Sequence, residues 1–350
     1  MNLLNEHNQK AYRVAMQKEK RKSAIQTTYK LVRNVILAGT IIGVGIYFAT
    51  IWLFREAPMK QVAGFDRDKV AEIIVEITKP LTYDEVGFRM NSEYALLINI
   101  TNGRILFDHQ ADVQAYPASV TKIMTVLIGL ENGDMDESVT IDADFEELFL
   151  AGAMQSGFSY GEVRTLSDIL YAIMLPSGAE ATWSLANHVA GSYEGFVELM
   201  NEKARDLSML GTNFVTTTGL HDDDHYTTAY DIAILLEHAL TNPEFKEIFT
   251  TETYELEIPN DLGSTMHSTL FSFAPQTTFE GGEILGGRTG FTEPAGRCLA
   301  SLATDGTDEF ILVTFGAEDP DWEQTTHILD ALMIYEYFLE VRDEYEEEYG

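Results

Sequence analysis

Residues 117–122 read Pro-Ala-Ser-Val-Thr-Lys, which sets a potential nucleophile, Ser119, three positions ahead of a potential base, Lys122. A serine hydroxyl attacks a carbonyl efficiently only when a neighbouring base takes its proton. A lysine is such a base only when burial or a nearby cation lowers its pKa. The next residues supply burial. Ile123, Met124, Val126, Leu127, Ile128 and Leu130 make a run apolar on nearly every side, and a helix of that kind must be covered all round. Residues three apart share a helix face, so Ser119 and Lys122 are expected together on the first turn of this helix. Its N-terminus would favour the negative charge that grows on an acyl group under attack. Ser-x-x-Lys is short and recurs by chance, so its weight depends on what accompanies it.

The elements that must position the pair are legible along the chain. Asn102-Gly103 separates the apolar runs Tyr94–Ile100 and Arg104–Phe107, the pattern of a β-hairpin. Asn132-Gly133 closes the helix that follows Ser119. Residues 136–165 show no clear period. Leu166–Leu175 is helical in pattern and stops at Pro176-Ser177-Gly178, and further helices are expected at about 182–190, 195–208 and Thr228–Leu240, the last ended by Asn242-Pro243. Ile284–Arg288, Cys298–Thr304 and Phe310–Phe315 read as strands, with Asp305-Gly306 as a turn, and a last amphipathic helix runs from about Trp322 to Val341. A hairpin, a helical middle, three strands and a closing helix predict an α+β fold: an antiparallel sheet built from both chain ends and flanked by helices. That layout would bring residue 119, the 170s and the 280s to one sheet edge.

Charge is divided sharply. The 350 residues carry a formal net charge of -33, which argues against nucleic acid as a partner. Residues 1–33 run the other way, with eight Lys/Arg against two Asp/Glu. Asn34–Phe54 then gives 21 residues without a charge, enough to cross a hydrocarbon core of roughly 30 Å. Basic excess ahead of such a span holds the N-terminus in the cytoplasm and sends the rest outside. No Ala-x-Ala cleavage site follows, so a retained anchor is expected. The expected organisation is a basic cytoplasmic tail (1–33), a transmembrane helix (34–54), a juxtamembrane connector (55–85) and an extracytoplasmic catalytic domain (86–350). One cysteine, Cys298, excludes an intrachain disulfide and reads as a small buried hydrophobe in a strand.

With the elements in order, four stretches resemble one family, the serine D-alanyl-D-alanine carboxypeptidases, or low-molecular-weight penicillin-binding proteins. Tyr116–Thr125 matches its first motif. Leu175-Pro-Ser-Gly-Ala-Glu-Ala181 stands where Ser-x-Asn is usual, and Gly287-Arg-Thr-Gly-Phe-Thr292 stands where Lys-Thr-Gly is usual. The stretch Thr218–Ala229 is also similar, and the likeness runs from about residue 90 to 340. The resemblance implies a β-lactamase/transpeptidase-like domain that binds peptidoglycan stem pentapeptides and β-lactam antibiotics. It implies that Ser119 forms an acyl-enzyme, Lys122 is the base, and Ser177 relays protons. It also implies that the Ser119 and Phe291 N–H groups make an oxyanion hole, that Thr289 with the positive charge of Arg288 holds the terminal carboxylate, and that Arg288, Thr289, Gly290 and Phe291 form the substrate-binding strand. No metal or organic cofactor is implied.

Two departures stand out. Arg288 keeps the charge of the usual lysine and adds a planar fork. Ala179 replaces the usual asparagine and can give no amide to substrate or lysine. A weakened relative that binds stem peptides or β-lactams without efficient turnover is therefore the alternative. A β-lactamase on the same fold would need a deacylating glutamate that cannot be identified. Glu180 would raise the pKa of Lys122 if it faced the site. His221-Asp-Asp-Asp-His225 has the composition of a metal site, but no Glu-x-x-His accompanies it, and a hydrogen-bonded loop is expected.

Overall fold

Strand alternation decides which residues of this chain meet which layer. On β2 (Tyr94–Asn99), Leu96 and Ile98 enter one buried cluster, while Ala95 and Leu97 enter a second on the opposite face. The same split recurs on β10 (Gly296–Thr304) and β11 (Glu309–Ala317), where Ala300 and Val313 face one layer and Leu299 and Leu312 the other. A sheet buried on both faces reads as nearly continuous apolar sequence, which is why these runs stood out. The structure, a computed structural model, describes residues 81–82, 88–143, 148, 152–319 and 325–349. One compact unit spans Pro80–Arg342.

The chain enters through β1 (Leu81–Thr82), β2 and β3 (Arg104–His109), then a 3-10 turn at Ala118–Thr121 that leads into α1 (Lys122–Asn132). The middle comprises β4 (Ser138–Thr140), β5 (Val163–Thr165), α2 (Leu166–Met174), α3 (Ala179–Ala190), α4 (Tyr193–Asp206), α5 (Ala229–Ala239), α6 (Pro243–Thr250), β6 (Thr253–Asn260), β7 (Gly263–His267) and α7 (Thr269–Phe273). It closes with β8 (Thr278–Phe279), β9 (Gly282–Thr292), β10, β11 and α8 (Thr326–Tyr349). The main sheet runs β1-β3-β2-β11-β10-β9-β8, so strands from both chain ends meet at the β2–β11 pair. Its pairs are antiparallel except β1 with β3, a two-residue parallel addition at the edge that departs from the all-antiparallel expectation. α1 is buried from Lys122 through Gly129. The helical layer around it and one face of the sheet form the larger core, and α8 covers the other face through Ile328, Ala331, Ile334 and Tyr335.

Local chemistry explains most boundaries. The Thr165, Ser192, Thr228 and Asn242 side chains accept from the third residue onward and cap α2, α4, α5 and α6, with Pro243 opening the last. Like the short α7, α1 and α3 have no side-chain cap at their N-termini. Those two open ends flank Ser119 and Ser177. The expected single helix through Ser119 and Lys122 is corrected here. Ser119 lies in the 3-10 turn and the α-helix begins at Lys122, because Pro117 and the left-handed Ala118 (φ 46°) do not allow α-helical hydrogen bonding to start earlier.

The β6–β7 hairpin, α6, α7 and the short β4–β5 pair were not read from sequence. β6 is buried only at Leu256 among its eight residues, so no alternating apolar pattern announced it. The basic tail, the proposed transmembrane segment and, apart from Leu81–Thr82, the connector lie outside the described residues. Among the described residues, no helix is long and apolar enough to cross a membrane.

Candidate active site

The 3-10 turn, the start of α3 and strand β9 converge on Ser119. Its Oγ lies 3.3 Å from Lys122 Nζ and 3.2 Å from Ser177 Oγ. Lys122 Nζ also donates to the Thr218 carbonyl oxygen at 2.6 Å. A neutral lysine has two N–H bonds and one lone pair. With one N–H directed to Thr218, the lone pair is available to the Ser119 hydroxyl. Burial lowers the Lys122 pKa well below its ordinary value, Arg288 lowers it further and Glu180 partly opposes them. The Ser119 hydroxyl and the Lys122 amine are thus held at hydrogen-bond range in an environment that favours the deprotonated amine.

Arg288 enters differently from the expectation that its charge meets a substrate carboxylate. It is 1% exposed. Its Nε donates to the Ser119 carbonyl oxygen at 3.1 Å, Nη1 to the Met174 carbonyl oxygen at 2.8 Å, and Nη2 to Ser177 Oγ. The guanidinium therefore ties the nucleophile turn, the end of α2 and the second serine into one body. Because Ser177 accepts from Arg288, its own proton is free to be passed towards Ser119. Burial brings Arg288 down to about 9, and it remains charged at neutral pH. Thr289 donates to Thr269 Oγ1 at 2.8 Å, so receiving a carboxylate would mean exchanging that partner. Gly290 runs so close to the turn that a Cβ there would lie 2.8 Å from the Ser119 amide nitrogen. A side chain at this position would cover one of the two N–H groups assigned to the oxyanion hole. Phe291, 38% exposed, leaves the protein surface beside it, with the Arg297 guanidinium 4.1 Å from its ring centroid.

Several residues that hold the site escaped sequence reasoning. Thr218 acts through its backbone, which no side-chain motif reveals. Gly219 was visible only as part of the similar stretch. It takes φ +80°, and a Cβ there would fall 1.8 Å from the Ala118 carbonyl oxygen, so only glycine lets this loop press on the nucleophile turn. His225, part of the stretch with metal-site composition, has both ring nitrogens engaged. Nδ1 faces the Val215 and Thr216 N–H groups at 3.1 and 3.3 Å, so Nε2 carries the proton and meets Thr121 Oγ1 at 2.8 Å. Thr121 then donates to the Ala118 carbonyl oxygen at 2.8 Å. Burial pushes His225 down to about 4, so this brace stays neutral at physiological pH. His221 instead stacks edge-on against Tyr116. Cys298 is fully buried in β10, where burial raises its thiol to about 12.

Ser177 occupies the left-handed region at φ 73°, a conformation that costs a non-glycine residue of order 1 kcal/mol or more. Beside it, Ala179 is 1% exposed and packs in a small apolar cluster with Ala143 and Leu148. Its methyl group therefore belongs to the packing under α3.

A serine hydroxyl within hydrogen-bond range of a buried lysine and a second serine, at the edge of a helix-flanked sheet, has the arrangement that serine–lysine acyl transfer requires. The family described as D-alanyl-D-alanine carboxypeptidase matches residues 81–319, and this chain belongs to it. It is 33% identical over 245 residues to the D-alanyl-D-alanine carboxypeptidase DacF of Bacillus subtilis, covering 67% of this chain and 60% of that one. It is 27% identical over 241 residues to the D-alanyl-D-alanine carboxypeptidase of Streptomyces sp. strain K15, covering 66% of this chain and 79% of that one. The crystal structure of the Streptomyces K15 DD-transpeptidase superposes with a TM-score of 0.63 at 25% identity, over 72% of this chain and 99% of that one. The match to DacF thus leaves two-fifths of that relative unaligned.

Three outcomes follow from this geometry. Lys122→Arg, which cannot be deprotonated, should retain the fold but lose roughly 10²–10⁴-fold in acylation rate by a fluorescent penicillin. In the wild type that rate should fall as pH drops through the depressed Lys122 pKa, because protonation removes the lone pair. A Lys122→Arg variant acylating at the wild-type rate would remove lysine as the base. Ala179→Asn would bury an amide among apolar neighbours, which costs about 1–3 kcal/mol when unpaired. It should therefore lower the melting temperature and raise acylation by less than about twofold, at ~1.4 kcal/mol per decade. A tenfold gain would show that the asparagine amide reaches the site after all.

Proposed function

We propose that this chain is a serine D-alanyl-D-alanine carboxypeptidase acting on peptidoglycan stem pentapeptides. The observation that carries it is the position of Ser119 Oγ, 3.3 Å from the amine of a lysine whose burial favours its neutral form. Ser119 attacks the carbonyl between the two terminal D-alanines while Lys122 takes its proton. The oxyanion is received by the Ser119 and Phe291 N–H groups, each such donor contributing roughly 2.7–4 kcal/mol in well-studied hydrolases. As the tetrahedral centre collapses, the C–N bond breaks and the proton passes through Ser177 to the leaving D-alanine amine. Water then attacks the acyl-enzyme while Lys122 accepts its proton, the bond between the acyl carbon and Ser119 Oγ breaks, and the proton passes from Lys122 back to Ser119. A β-lactam amide is opened by the same attack.

The test is release of D-alanine from a stem pentapeptide, run beside penicillin labelling. The wild type should do both, and Ser119→Ala should do neither while keeping its melting temperature within a few degrees. Labelling that survived Ser119→Ala would assign the nucleophile elsewhere. A second reading is favoured by Ala179, which presents no amide to substrate or lysine. On that reading the domain takes up penicillin but turns over stem peptides poorly, and labelling without D-alanine release would select it.

We also propose that the catalytic domain is extracytoplasmic and tethered to the plasma membrane by a single span at Asn34–Phe54. The uncharged 21-residue run and the basic excess before it support this reading. Protease added to cells stripped of their wall should release the domain and leave a short N-terminal membrane fragment. A secreted product that begins after residue 54 would rule out the retained anchor.

A further inference from the structure

Glu180, in the first turn of α3, is fully buried and, among the described residues, has no basic partner at hydrogen-bond range. Its Oε1 accepts from three successive backbone N–H groups, those of Ser156, Gly157 and Phe158, at 2.7, 2.9 and 3.2 Å, and from Ser156 Oγ at 2.7 Å. A carboxylate gathered into consecutive amides is a strong, charge-assisted anchor. What it anchors is the wall behind the second serine. The Ala179 N–H donates to the Met154 carbonyl oxygen at 2.9 Å. A Cβ on Gly178 would meet Ser156 Oγ at 2.6 Å, so segment 154–158 lies directly against the peptide that follows Ser177. Asn260 Nδ2 holds the same segment from outside through the Ser156 carbonyl oxygen at 2.8 Å. Ser177 itself is in the left-handed conformation noted above, which persists only where its surroundings over-determine it.

We propose that Glu180 is a positioning residue of the acylation site: its carboxylate locks segment 156–158 against Gly178 and so holds Ser177 at hydrogen-bond distance from Ser119. The inference rests on Ser119 being the acylated nucleophile, the reading advanced above. The other Glu180 oxygen, Oε2, is buried with no hydrogen-bond partner among the described residues, so none of them neutralises the carboxylate by direct contact. Its negative charge bears on Lys122, together with the positive Arg288 on β9 and the neutral His225 from the adjoining loop. Glu180 opposes the depression of the Lys122 pKa without cancelling it. A single residue thereby shapes both the relay serine and the pH at which the base becomes available.

The test compares Glu180→Gln and Glu180→Ala in the full chain, reading penicillin acylation against pH. Glutamine keeps an acceptor for the three amides and removes the charge. It should stay within about threefold of wild type at the plateau, with the acid limb moved to lower pH, since loss of a nearby negative charge favours neutral Lys122. Alanine removes the anchor and should lower acylation at the plateau by roughly ten- to hundredfold per folded molecule, more than it changes the concentration for half-maximal rate. A Glu180→Gln profile that superimposes on the wild type would overturn the proposal, as would a folded Glu180→Ala domain acylating at the wild-type rate. If the alanine variant does not fold, the glutamine profile alone decides. Wild-type protein that acylates but releases no D-alanine would sink the carboxypeptidase reading and leave this inference standing.

Discussion

An amine buried on a helix that is covered all round loses the hydration that would stabilise its charge, and Lys122, 2% exposed, is in that position. The rest of the site can be understood as managing this one desolvated group. The Thr218 carbonyl takes one N–H and turns the lone pair towards Ser119. Arg288 adds a nearby positive charge that further disfavours protonation, and Glu180 opposes it from the start of α3. The uncapped N-termini of α1 and α3 contribute partial positive charge where an oxyanion and an alkoxide would form.

Holding these groups within hydrogen-bond range requires backbone conformations that the chain would not adopt unaided. Ala118 and Ser177 both sit in the left-handed region, and each is braced from more than one side. The Ala118 carbonyl oxygen accepts from Thr121, which is fixed by His225, and Gly219 presses against it. Ser177 is held by Arg288 in front and by the segment anchored on Glu180 behind. Strain of order 1–3 kcal/mol at such positions survives because the surrounding hydrogen bonds leave no relaxed alternative.

The two departures from the family pattern differ in kind. Arg288 is longer and more branched than lysine, and its fork reaches the Ser119 and Met174 carbonyl oxygens and Ser177 together. The substitution thus adds structural ties while preserving charge. Ala179 is a simple loss on the side of the amide, and its methyl group has been absorbed into packing with Ala143 and Leu148. Lys122 makes its second hydrogen bond to a backbone carbonyl, which no side-chain substitution at residue 179 removes.

Much of this was readable from residues alone. The buried helix after Ser119 and strands β10 and β11 announced themselves by nearly continuous apolar runs, because burial on all sides leaves such a pattern in the sequence, and Asn102-Gly103 marked the hairpin by its turn chemistry. Ser119 and Lys122 were visible as types and spacing, and Ser177 and Arg288 through the resemblance to the family's second and third motifs. What the sequence could not carry was anything that depends on backbone meeting backbone across long separations. The Thr218 carbonyl, the 1.8 Å limit at Gly219 and the amides of residues 156–158 around Glu180 belong to this class. The β6–β7 hairpin was equally silent, since an exposed strand needs no apolar alternation. Even the first turn was misjudged, because residue spacing places Ser119 and Lys122 on one face without revealing that a left-handed Ala118 makes that turn a 3-10 helix. Local pattern therefore determined which residues could do chemistry, and tertiary contact alone decided how their protons, charges and backbone are held, because those depend on partners about 25 to 170 residues away.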